Sequence, residues 1–106
     1  MQIIESVNND LVKKMAKLLQ KKYREEERLF LVEGEKGICE AKDLKLQIVD
    51  IFIDKNREDL INYYEGFNVI ITNEKVLAKI SETKTPPPII ASVRMLKNDI
   101  NSIDKN

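Results

Sequence analysis

Histidine and tryptophan are absent from this chain of 106 residues, cysteine occurs once, and glycine and proline occur three times each. Without histidine there is no side chain that titrates naturally near neutral pH, which removes the usual general base and the commonest metal ligand. A lone cysteine, Cys39, excludes an internal disulfide and a cysteine-built metal site. Its place between Lys36 and Ala41 predicts a small buried apolar residue. No apolar stretch approaches the length of a membrane span, and no signal-like segment follows Met1, so a cytoplasmic protein without membrane contact is expected. The carboxylates are scattered without evident pairing and read as solvated surface. No catalytic residue and no metal-ligand set emerges.

What remains is enough for one domain with one core: 42% of residues are apolar and 34% charged. Lys+Arg and Asp+Glu both number 18, but they are unevenly placed. Residues 1–10 carry −2, 11–24 carry +6, 25–66 carry −6 and 67–106 carry +2. Overall neutrality thus conceals a basic segment beside an acidic middle.

That basic segment is predicted as one helix from Leu11 to Tyr23–Arg24, with Asn8, Asn9 or Asp10 as cap and Ile3 and Ile4 packed back against it. At helical spacing Leu11, Met15, Leu18 and Leu19 share one side. Lys13, Lys14, Lys17, Lys21 and Arg24 occupy an arc of roughly 100° on the other. Like charges in a row repel, and a polyanion would neutralise them, although a merely solvated face has the same pattern.

Beyond the acidic Glu25–Glu27, the order of elements follows from apolar periodicity and turn residues. Leu29–Val32 reads as a buried strand and Gly34 as a tight turn into a helix from Glu35 to Leu44. Ile48–Asp54 is a second strand; Asn56 is placed to cap a helix from Arg57 to Tyr64, which Gly66 ends. Phe67–Thr72 is a third strand, Thr72 or Asn73 caps the helix carrying Val76, Leu77 and Ile80, Ser81–Pro88 is a loop, and Ile89–Val93 is a fourth strand. The three phenylalanines, in or beside strands, are assigned to the core. Residues 97–106 read as a polar tail or the start of a linker. Helices alternating with strands predict an α/β fold with a mixed sheet covered on both faces.

The residues Val12-Lys13, Lys21-Lys22-Tyr23-Arg24 and Phe30-Leu31-Val32-Glu33-Gly34, with Thr83-Lys84-Thr85-Pro86 and the apolar run after it, resemble the N-terminal substrate-binding domain of the SpoU/TrmH family of RNA ribose methyltransferases. The resemblance implies a three-layer α/β/α sandwich with a four-stranded mixed sheet, similar to ribosomal proteins that bind kinked RNA. It implies that residues 1–96 bind structured RNA, ribosomal or transfer RNA and ribosomal above all, for a ribose 2'-O-methylating catalytic domain outside this chain. That domain would use S-adenosylmethionine, and the parent would be a homodimer of monomeric substrate-binding domains. The family's donor site needs glycine-containing loops, and no glycine follows Gly66, so this chain is expected to hold no cofactor and to catalyse nothing alone.

The residues expected to meet RNA are Lys13, Lys14, Lys17, Lys21, Lys22, Tyr23, Arg24, Lys84 and Thr85, through phosphate and shape more than base stacking. Glu33 and Gly34 are expected to orient: Gly34 by its turn, Glu33 by bonding local N–H groups or by holding Arg24 or a lysine. Pro87-Pro88 stand where the family commonly has Gln-Gly, which changes the loop's backbone options. A stand-alone RNA-binding protein of ribosomal type, and a protein-interaction module with solvating lysines, are the alternatives.

Overall fold

Apolar, β-branched runs of four to seven residues need cover on both faces, and short amphipathic helices supply it. In the computed structural model, which describes residues 1–96, the chain runs β1 (Gln2–Ile3), α1 (Asp10–Lys17), α2 (Lys21–Glu27), β2 (Leu29–Glu33), α3 (Glu35–Asp43), β3 (Ile48–Asp54), α4 (Glu58–Tyr63), β4 (Val69–Thr72), α5 (Glu74–Lys79) and β5 (Ile89–Arg94). The proposed tail, 97–106, lies outside the described residues.

One mixed sheet has the order β1-β4-β3-β5-β2. Strands β1 and β3 run parallel to β4, whereas β5 is antiparallel to β3 and β2. The sheet therefore has five strands where four were expected. The additional one is β1, whose two exposed residues are too few to show an alternating pattern. Ile4 is buried with Val12 and Met15 as anticipated, but Ile3 pairs with the sheet and is 65% exposed.

Alternation along the strands divides the core in two. Phe52, Ile70 and Ile90 face Val12, Met15 and Leu18 of the α1 segment and Val76, Leu77 and Ile80 of the α5 segment. Ile51, Ile53, Ile89 and Ala91 face Ile38, Leu60 and Tyr64 on the other side. This is the three-layer α/β/α arrangement. Phe52 alone of the phenylalanines is fully buried; Phe30 is half-buried and Phe67 is 38% exposed, just before the shortened strand β4. Cys39 is half-buried rather than buried, its Sγ 3.8 Å from the Tyr64 hydroxyl. It occupies the helix edge beside Ile38, whose side chain takes the core position.

Asn9 caps α1, its Oδ1 accepting from the amides of Leu11 at 2.8 Å and Val12 at 3.3 Å. Asn73 caps α5 through Val76 N–H. Asn56 does not cap α4. Asp54 instead makes that turn, its Oδ1 accepting from Asn56 N–H at 2.8 Å and its carbonyl from Arg57 N–H at 2.9 Å.

The two ends of the sheet differ. Glu33-Gly34, Asp54, Thr72 and Ile89 lie at one end, joined by Gly34 N–H to Ile89 O and Asp54 N–H to Pro88 O. Arg28, Gln47, Asn68 and Met95 lie at the other, joined by Arg94 N–H to Gln47 O and Met95 N–H to Arg28 O.

Candidate nucleic-acid interface

The basic segment folds as two helices, correcting the single helix expected from Leu11 to Arg24. Its apolar stripe ends at Leu19; the positions that would extend it, 22, 25 and 26, are Lys22, Glu25 and Glu26. A straight helix would push those charges along the core, so the chain turns instead. The amides of Leu18, Leu19 and Gln20 bond back three residues to Met15, Ala16 and Lys17, a tightened last turn. Arg24 closes the break: its guanidinium donates to the Leu18 carbonyl at 2.9 Å. The common arc of lysines therefore does not exist, because it requires one unbroken helix, and Gln20 between α1 and α2 is extended.

The break nonetheless gathers part of the set. Lys13, Lys14 and Lys17 of α1 and Tyr23 of α2 line one open cleft of about 390 Å³. Lys17 and Lys22 each place Nζ 5.5 Å from the Tyr23 ring centroid, within cation–π range. Asp10, Glu26 and Glu27 line the same cleft, and Glu27 pairs with Lys14 at 3.3 Å. These three acids were not anticipated. Lys14 and Glu27 meet only across the break, a relation no helical spacing reveals. Lys21 stands outside the cleft, loosely paired with Glu25 at 4.0 Å. Lys13, Lys17 and Lys22 form no ion pair among the described residues.

Helix α2 separates this cleft from a second groove. Tyr23 faces the first; Arg24 lines the second, of about 410 Å³, with Phe30, Leu31, Glu33 and Glu82. Glu33 bonds neither local N–H groups nor Arg24. Its Oε1 accepts from Ser81 Oγ at 2.6 Å and its Oε2 from Glu82 N–H at 2.9 Å, so the carboxylate at the end of β2 grips the distant 81–85 loop. Within the loop Ser81 Oγ also accepts from Thr83 N–H, and Thr83 Oγ1 donates to the Thr85 carbonyl. Lys84 and Thr85 are exposed at its tip. Pro87-Pro88 introduce no left-handed backbone here: among the described residues positive φ occurs at Arg28, Gly34, Lys45 and Gly66 only.

Gly34 sits at φ 91°, making the strand-to-helix turn that a Cβ would strain. Gly37 has a role that sequence did not disclose: a Cβ there would meet Val32 Cγ1 at 2.6 Å, so glycine lets α3 lie close on β2. None of the three glycines lines either cleft. The open, charge-lined clefts do not fit a methyl donor, which would need a water-excluding pocket around its base and sulfonium. Among the described residues there is also no cluster of three or more metal-ligating side chains, and no helix is long and apolar enough to cross a membrane.

The model of the MRM3-like substrate binding domain matches residues 9–91, which include both motif regions. No protein of curated function matches the sequence. Among solved structures, an RNA 2'-O ribose methyltransferase is 28% identical with a TM-score of 0.80, covering 91% of this chain and 38% of its own. An AdoMet-bound rRNA methyltransferase from Sinorhizobium meliloti is 30% identical with a TM-score of 0.71, again covering 91% and 38%. The SpoU methyltransferase AviRb from Streptomyces viridochromogenes shares the fold at 22% identity and a TM-score of 0.76, covering 89% and 38%. The chain thus spans little more than a third of the length of these proteins. A sheet of this order, the motif residues on α1, α2 and β2, and a family match over most of the chain lead to one assignment: the chain belongs to the MRM3-like substrate-binding domains of the SpoU/TrmH RNA methyltransferases.

Proposed function

We propose that this domain captures structured RNA, ribosomal RNA in particular, for ribose 2'-O-methylation by a catalytic domain of the same parent protein. The observation that carries the reading is the convergence of Lys13, Lys14, Lys17 and Tyr23 on one cleft. Lysines beside an aromatic ring suit a folded phosphate backbone, which would take Lys14 from Glu27, with the ring available to a base or ribose at the margin. Lys21 and Lys22 extend the strip along α2, and Arg24 holds the break that brings the two helices together. Beyond the second groove, Lys84 and Thr85 add a charge and a hydroxyl on a loop that Glu33 anchors.

The division of labour follows from what the residues can do. The open, charge-lined clefts do not suit S-adenosylmethionine, and the donor is assigned to the rest of the parent, which acts as a homodimer in the cytoplasm. Residues 1–96 form the RNA-binding unit and 97–106 begin the linker.

The test is binding of a structured ribosomal RNA fragment over a range of salt. Each phosphate neutralised contributes about −0.7 to −0.9 to the slope of log K against log salt. With the lysines of the cleft engaged, the slope should lie near −2 to −4 by that rule. A slope near zero would dismiss the interface.

A further inference from the structure

The corner where α3 and α4 end is chemically unlike the basic helices. Leu44 is 71% exposed, Tyr63 63% and Phe67 38%. Tyr63 and Phe67 flank buried Tyr64, whose ring meets Tyr63 edge-on at 4.9 Å and Phe67 at 5.9 Å. Lys42 reaches over Tyr63, 5.0 Å from its centroid, which ties the last turn of α3 and thus Leu44 to the same corner. Single exposed apolar residues need no explanation, but a group of large ones marks a contact surface. RNA is a poor occupant: the nearest charges along the chain cancel, Lys42 and Lys45 against Asp43 and Glu65, and leave a polyanion no net attraction.

The path of the chain identifies a better one. Arg94 and Met95 bond to Gln47 and Arg28, so the chain passes Leu96 at the end of the sheet where β3 and β4 begin. Phe67 lies at that end immediately before β4, and Leu44 shortly before β3. The described chain therefore stops at the same end of the sheet as this corner. A tethered domain acts at an effective concentration of about millimolar over a short flexible linker, so a modest apolar patch suffices to hold it. The solved relatives run far beyond the matched region, which covers 38% of their length.

We propose that Leu44, Tyr63 and Phe67 form the seat on which the domain following residue 96 docks, within the same polypeptide. Its matching surface should have an apolar centre and an edge of mixed charge opposite Lys42, Asp43, Lys45 and Glu65. The proposal rests on the reading that such a domain follows.

The experiment uses the full gene product with the photo-crosslinking residue p-benzoylphenylalanine at Tyr63, and in a second variant at Leu44; both sites are exposed and need not disturb folding. Illumination should link either position to residues beyond 106 of the same chain, with a yield unchanged by tenfold dilution. Links to a second copy, with a yield that falls on dilution, would overturn the proposal, as would links to RNA or none at all. A reading frame with no following domain would overturn both this proposal and the parent enzyme reading. A following domain that fails to cross-link overturns docking alone.

Discussion

The two sides of this small sheet present opposite surfaces built from similar materials. On the α1/α2 side a turn between two helices brings cations together around Tyr23. At the far end of α3 and α4, a cation lies over another tyrosine, Tyr63, but the exposed neighbours are large and apolar. Lysine beside tyrosine therefore says little by itself. The field around the pair decides whether it suits a polyanion or a protein surface.

The same substitution on the two sides should have the most unequal effect. Leu18 is 1% exposed at the break, whereas Leu44 is 71% exposed. Leu18→Ala should cost about 2–5 kcal/mol, the usual range for a buried leucine, in urea denaturation. Leu44→Ala should stay within about 0.5 kcal/mol. Comparable losses would mean that the corner is packed in the free domain and is not a vacant seat.

A smaller effect is expected at Glu33. Glu33→Ala removes both acceptors, the one for Ser81 Oγ and the one for Glu82 N–H, which should cost about 1–3 kcal/mol. Amide exchange should accelerate at Glu82 and Thr83 and leave α3 and α4 protected. Unchanged exchange in the loop would show that the carboxylate does not hold it.

Much of this was legible in the chain and some was not. Strands β2 to β5 announce themselves as apolar runs between turn residues, and their alternation with helices discloses the layers. The basic cluster was legible too, although its expected geometry, one long helix, was wrong. No glycine or proline marks the break after Lys17; it arises because the apolar stripe ends while the strand ahead has still to be reached. Strand β1 is two residues long and has no pattern of its own. The bond from Ser81 to Glu33 spans 48 positions, and only the antiparallel pairing of β2 with β5 brings those residues together.

Alkaline pH should distinguish the α3/α4 side from the basic one. Burial, aided by the bond to Cys39, raises the Tyr64 hydroxyl above its ordinary value of 10.0. The folded state thus keeps a proton that the unfolded state loses, and the contribution of Tyr64 to stability should be constant below pH 10 and decline above it. Tyr64→Phe should flatten that decline and cost about 1 kcal/mol or less at neutral pH, since a hydrogen bond to sulfur is weak. An unchanged alkaline slope would place its origin elsewhere.

The smallest effect belongs to the exposed pair at the start of α4. Arg57 donates to both oxygens of Asp59, at 3.0 and 2.9 Å, and this bond holds the Asp59 carboxyl below its ordinary value. Its stabilising contribution is present above the unfolded-state value and is lost as pH falls through the folded one. Asp59→Asn should remove a slight acid-side slope in thermal unfolding, and a large change would mean that the pair supports more than its own turn.

Charge reversal on the two sides gives the most direct comparison. Lys13→Glu with Lys17→Glu alters the cleft, and Lys42→Glu with Lys45→Glu alters the aromatic corner by the same net charge. Long-range attraction to RNA falls equally in both, so any difference reports local contact. The cleft variant should lose RNA affinity by at least tenfold more than the corner variant, with its salt slope reduced by about 1.4–1.8 for two lost phosphate contacts. Equal losses in the two variants would contradict RNA capture by the cleft between α1 and α2.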